Sequence, residues 1–150
     1  MRFATEQDVD KLLHFLGQAR IHDIRIRELY SQFMLLEDEQ NRIQAVIGYE
    51  QADCACLLRS LVLSPVVDQL QFLQFFQVFL EQLKEREIRE LYLLTTNEVS
   101  LPLFQMFGFR VVEHSAVPLD ITKLEHYVIN KKQTNVIVLN CQLFTELSTD

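Results

Sequence analysis

At 150 residues and 49% apolar content, the chain is the size of one ordinary domain and holds enough hydrophobic material for a core without disulfide or metal staples. A formal net charge of -7, with no segment that collects Lys and Arg, excludes a nucleic-acid binder that works by neutralising phosphates. No apolar run approaches the roughly 20 residues of a membrane span, and no basic segment followed by an apolar one opens the chain.

Three cysteines, in no disulfide or zinc-ribbon spacing, fit free thiols, so the expected compartment is the cytoplasm and no membrane partner is expected. Three Gly, three Pro and no repeat leave no visible linker, and residues 1–150 read as a single domain. A short strand around Arg2 to Ala4 leads through Thr5, Gln7 and Asp8 into a helix whose apolar residues Val9, Leu12, Leu13, Phe15 and Leu16 recur at helical spacing. Ile21 to Leu29 is predicted as a second short helix. Phe33 to Leu36, Ile43 to Tyr49 and Cys54 to Leu63 follow as strands, joined by polar turns at Asp38 to Asn41 and Gln51 to Asp53 that suit antiparallel hairpins.

Pro65 ends the third of these strands, and the chain is helical from Asp68 to about Glu87. Leu91 to Thr95 is a buried strand, parallel to the one before the helix by the handedness of such units. A helix near Leu101 to Phe107 stops at Gly108 in a left-handed conformation, a strand covers Phe109 to Val112, Ile121 to Tyr127 is helical, and Val136 to Leu139 is a final strand. The fold class is α/β, with a mixed sheet and helices on both faces.

This order, with the segments Leu58-Arg59-Ser60-Leu61-Val62-Leu63-Ser64-Pro65, Glu87-Ile88-Arg89-Glu90-Leu91-Tyr92-Leu93-Leu94-Thr95-Thr96 and Phe107-Gly108-Phe109, resembles the GNAT superfamily of N-acetyltransferases over nearly the whole chain. It looks closest to the arsenic-resistance-type and related small-molecule enzymes. The resemblance implies a mostly antiparallel sheet of about six to seven strands in which the fourth strand splays from the fifth. It implies acetyl-CoA as cofactor, its pantetheine arm bonded to the backbone of Leu61, Val62 and Leu63. The acceptor is a small-molecule amine.

In that superfamily a basic, glycine-rich loop then encloses the pyrophosphate at a helix amino terminus, where free amides and a partial positive charge attract an anion. Here the matching residues are Asp68, Gln69, Leu70, Gln71, Phe72 and Leu73, with Asn97 completing the cofactor set the resemblance implies. Asp68 puts negative charge where a cation is usual, and Gln69, Gln71 and Leu73 put side chains where glycine lets the backbone approach, so cofactor binding is predicted to be weakened or lost. Asp68 is also a good helix cap in its own right. The tyrosine that protonates the departing thiolate in many relatives falls at Phe104, which has no proton to give, although some active relatives lack it too.

Arg59 sits in an otherwise apolar strand and needs a carboxylate if buried, with Glu50 or Glu37 on neighbouring strands as sources. One reading makes Arg59 a clamp for an acidic substrate and Glu50 the base that deprotonates the amine. The other makes them a structural ion pair. Cys54 and Cys56 share a strand face by the two-residue period, but with no histidine adjacent they read as small apolar residues, and no metal site is predicted. His14, His22, His114 and His126 show no ligand spacing.

The long helix carries Phe72, Phe75, Phe76, Phe79 and several Leu, more than one sheet face buries, so the surplus is expected against a neighbouring helix, in the vacated cofactor cleft or in a homodimer seam. Two function classes follow. One is a divergent N-acetyltransferase. The other is a noncatalytic scaffold, sensor or dimerisation module.

Overall fold

The computed structural model describes residues 1–22, 25–132 and 135–144. The strands are β1 (Arg2–Phe3), β2 (Phe33–Glu37), β3 (Ile43–Ala52), β4 (Ala55–Leu63), β5 (Glu90–Thr95), β6 (Arg110–Val112) and β7 (Ile137–Gln142). The helices are α1 (Val9–Gln18), α2 (Ile26–Leu29), α3 (Gln69–Glu85), α4 (Leu101–Met106), α5 (Leu119–Thr122) and α6 (Glu125–Asn130). One seven-stranded sheet has the order β1-β2-β3-β4-β5-β7-β6. Its β4 and β5 run parallel, as the helical crossover between them requires, while β1/β2, β2/β3, β5/β7 and β6/β7 are antiparallel. The chain has two compact units, one of residues Met1–Tyr49 and Arg59–Phe79 and the other of residues Glu50–Leu58 and those from Leu80 onward.

In the first unit the two faces of the strands are covered by different helices. Leu12 and Leu16 of α1 and Ile26 of α2 are fully buried against Phe33, Leu35 and Val46, with Val62 packed at the edge of the cluster. On the opposite face, the Tyr49 ring meets Phe79 of α3 at 6.1 Å and Phe3 of β1 at 6.4 Å. The two-residue alternation of a strand accounts for the division. Gly48 lies beneath Phe33, and a Cβ there would come within 2.6 Å of the ring, so only glycine admits that packing.

Phe72, Phe75, Phe76 and Phe79 of α3 are all buried within the single chain, with Leu70 left exposed. The phenylalanines therefore need no second copy to cover them, and the surplus apolar surface shrinks to the first turn of the helix.

In the second unit, Leu57, Tyr92, Val117, Ile121, Tyr127 and Val138 form the core. Gly108 stops the α4 turn at φ +92, the left-handed stop that the sequence predicts, and Phe104 packs edge-on against Phe109 at 5.7 Å. The Tyr127 hydroxyl meets His114 Nδ1 at 2.9 Å, and burial raises the tyrosine pKa.

Several boundaries differ from expectation. The second helix is shorter than Ile21 to Leu29, because Ile21 and His22 are not helical; residues 23 and 24 lie outside the described residues. Ile121 to Tyr127 is not one helix but parts of α5 and α6, since Leu124 takes an extended conformation between them. The β3–β4 turn sits at Asp53 and Cys54, with Asp53 at φ +59, so Cys54 is exposed in the turn while Cys56 is buried in β4. The two thiols therefore do not share a strand face. Burial pushes the Cys141 thiol up to about 11 and that of Cys56 higher still, so both stay protonated at neutral pH.

Candidate functional site

β4 carries Leu61, Val62 and Leu63, the residues predicted to meet the cofactor arm. Its parallel ladder with β5 runs from Ala55↔Glu90 to Leu57↔Tyr92, although β4 itself continues to Leu63. Ser60 then adopts φ +55 in mid-strand. A left-handed residue that is not glycine costs about 1–2 kcal/mol, so the backbone is strained at this point of the strand. Leu61, Val62 and Leu63 follow, the first two partly buried and Leu63 exposed. Nothing in the residue type announces this: serine has no special tolerance for the left-handed region, so the distortion was not legible in the sequence.

The turn into α3 is closed on itself. Ser64 N–H donates to the Gln44 carbonyl at 2.7 Å, and Val67 N–H donates to the Ser64 carbonyl at 3.0 Å. Gln71 N–H donates to Asp68 Oδ1 at 2.8 Å, while Asp68 N–H donates to Gln71 Oε1 at 3.0 Å. This is a reciprocal capping box, a pattern that Asp68-x-x-Gln71 signals in the sequence and that a search for a phosphate loop alone passes over. The Asp68 carboxylate thus caps the helix amino terminus.

Gln69, Leu70 and Gln71 are exposed, Phe72 is buried in the aromatic row with its ring 5.7 Å from that of Phe76, and Leu73 is partly buried.

Arg59, one residue before Ser60, is buried and lies with its guanidinium carbon 5.9 Å from the centre of the Phe33 ring, a cation–π arrangement. Glu37 is not held in reserve for it. Glu37 instead binds Arg2 Nε at 3.1 Å and Lys11 Nζ at 2.7 Å. Arg2 also grips Asp8 with its two terminal guanidinium nitrogens, at 2.7 and 2.9 Å. The Arg2 hydrogen bonds hold the Asp8 carboxyl well below its usual range. Burial alone would raise Glu37, but the Lys11 hydrogen bond and the charges of Arg2 and Lys11 outweigh it and lower its pKa.

Between α1, the β2–β3 hairpin and the turn into α3, the same unit has an open cleft of about 650 Å³ whose walls include Lys11, Glu37, Arg42, Val66 and Gln71.

The remaining sequence candidates lie in the second unit. Glu50 of β3 is buried. Phe104 is a buried aromatic of α4. The Asn97 side chain accepts from Val99 N–H at 3.0 Å and so caps the 3-10 turn ahead of α4. Among the described residues, no group of three or more His, Cys, Asp or Glu could hold a metal ion, and no helix is long and apolar enough to cross a membrane.

No family model matches the chain. The uncharacterized protein YwlB of Bacillus subtilis (strain 168) is 29% identical over 140 residues, spanning 93% of this chain and 94% of the relative. Among solved structures, Rv2747 of Mycobacterium tuberculosis, in a complex that contains CoA, superposes with a TM-score of 0.75 at 12% identity, covering 95% of this chain and 98% of its own. A GNAT-family acetyltransferase of Staphylococcus aureus Mu50 gives a TM-score of 0.69 at 16% identity, over 94% of this chain and 96% of its own. N-acetylglutamate synthase of Neisseria gonorrhoeae, complexed with coenzyme A and N-acetyl-glutamate, gives 0.73 at 20% identity over 96% of this chain, which spans 35% of the synthase. The chain has the fold of the GNAT acetyltransferases.

Proposed function

We propose that the protein is a divergent N-acyltransferase of the GNAT superfamily, akin to its small-molecule enzymes, that moves an acyl group from a thioester donor to a small-molecule amine. The observation that carries this is the left-handed Ser60 inside β4, beyond the point where the ladder with β5 ends. Strain of that kind persists only where the surroundings hold it, and on this reading the edge of Leu61 to Leu63 away from β3 meets the amide-rich arm of a pantetheine thioester. Solved proteins of the same fold that carry CoA support the reading.

In the reaction the amine nitrogen attacks the thioester carbonyl carbon, a C–N bond forms, the C–S bond breaks and the thiolate leaves with the electron pair. Glu50 takes the proton lost by the amine, and solvent protonates the thiolate, since Phe104 has no proton to offer. The capping box at Asp68 and Gln71 favours weak binding of the CoA nucleotide.

Calorimetric titration with acetyl-CoA, followed by an assay of thiol release across a panel of amines, tests the reading. Saturable binding and amine-dependent release, reduced in Glu50→Gln with binding intact, are expected. No binding at millimolar donor and no release would leave a noncatalytic scaffold or sensor as the function of this fold.

A further inference from the structure

The start of α3 suits a different part of the donor than a nucleotide. Ser64, Val66, Val67, Asp68, Gln71 and Phe72 all donate their amides to protein acceptors, Val66 to the Ser64 hydroxyl at 3.4 Å and Phe72 to the Asp68 carbonyl at 3.0 Å. A diphosphate seated here would have to displace those bonds and face the Asp68 carboxylate at short range. The cations that share the cleft wall with this turn are already engaged, Lys11 with Glu37 at 2.7 Å and Arg42 with Asp38 at 2.8 Å. The turn itself is rimmed along the chain by exposed apolar side chains: Leu63, Val66 and Leu70 are 40%, 72% and 63% exposed.

We infer that the site reads the pantetheine end of an acyl thioester and is indifferent to its nucleotide end, so that acyl-pantetheine is as good a ligand as acyl-CoA. The inference rests on the reading of β4 as the thioester-binding strand. Recognition falls to the backbone beyond Ser60, which a pantetheine arm meets through its two amides, and to the apolar rim, which its methylenes and geminal methyls suit. The 3′-phospho-ADP part stays in solvent, because the Asp68 carboxylate faces it and the cations of the cleft wall are engaged elsewhere.

The test compares dissociation constants of S-acetyl-pantetheine and acetyl-CoA for the whole chain by calorimetry, at low and at moderate salt. Where a diphosphate is gripped by several charge-assisted hydrogen bonds, truncation weakens binding by about a hundredfold or more. Here the two constants are expected within about threefold of one another, and neither should weaken as salt rises. Asp68→Gly, which frees the Gln71 amide and removes the charge while keeping a residue tolerated at a cap, is expected to tighten acetyl-CoA and leave acetyl-pantetheine unchanged.

Strong preference for acetyl-CoA in the unaltered chain, or affinity that falls with salt, overturns the inference and leaves the acyltransferase reading standing. Failure of both thioesters to bind overturns the two together. An Asp68→Gly variant that shifts both ligands equally also counts against it.

Discussion

Two neighbouring stretches of the chain solve opposite problems. In the strand, Ser60 stays at φ +55 with a side chain that gains nothing obvious from it. At the head of the long helix, Asp68 and Gln71 satisfy one another's amides, and the turn before them is knitted to Ser64 and Gln44. Local strain that survives indicates a conformation imposed for something outside the segment, whereas local satisfaction indicates a segment with little left to offer a ligand. Fold resemblance by itself treats the two alike.

The comparison breaks first if the helix is held in place by its cap. Phe76→Ala should cost about 3–5 kcal/mol in chemical denaturation, because a fully buried ring is removed from a packed aromatic row. A smaller loss than that of Asp68→Ala would mean that the cap, and not the core, positions the first turn.

A second carboxylate gives a contrast in kind. Asp8 is buried and ion-paired, so Asp8→Asn should cost about 1–3 kcal/mol. Because the hydrogen bonds from Arg2 hold its pKa below the ordinary 3.8, its contribution is present above that pH and is lost as pH falls through and below it. Acid unfolding of the unaltered chain should thus be steeper below pH 3.8 than that of Asp8→Asn. Equal slopes would show that the pair adds no pH-dependent stability.

Ser60→Val should destabilise by about 1–2 kcal/mol and Ser60→Gly should be neutral or slightly stabilising, because a β-branched residue resists the left-handed region and glycine accepts it. Equal melting temperatures for the two variants would remove the argument from strain. Asp68→Ala should cost about 1 kcal/mol, and Asp68→Asn only a few tenths, since asparagine caps as well without the charge. If Asp68→Asn fell as far as alanine, the carboxylate's charge and not its hydrogen bond would be holding the turn.

Most strands and the long helix were legible because their apolar residues repeat with a single period and their ends carry Pro65, Asp68 or Gly108. The break at Leu124 was not, because its residue type suits the interior of a helix. The Arg2, Asp8, Lys11 and Glu37 network was hidden for another reason: it forms only after β1 pairs with β2 and places Arg2 opposite Leu35, far from it in sequence. Of the candidate site, the residue types at Asp68, Gln71 and Phe104 were readable directly. The left-handed backbone at Ser60 had no compositional trace.

The sheet order ends on β1 at one margin and β6 at the other, strands of two and three residues. A border so brief presents few unpaired amides and carbonyls in a row, and each carries an exposed arginine, Arg2 and Arg110. Strand addition by a foreign peptide or a misfolded neighbour finds almost no template to copy there, which protects a chain built on a seven-stranded sheet against fibrillar growth when it is crowded.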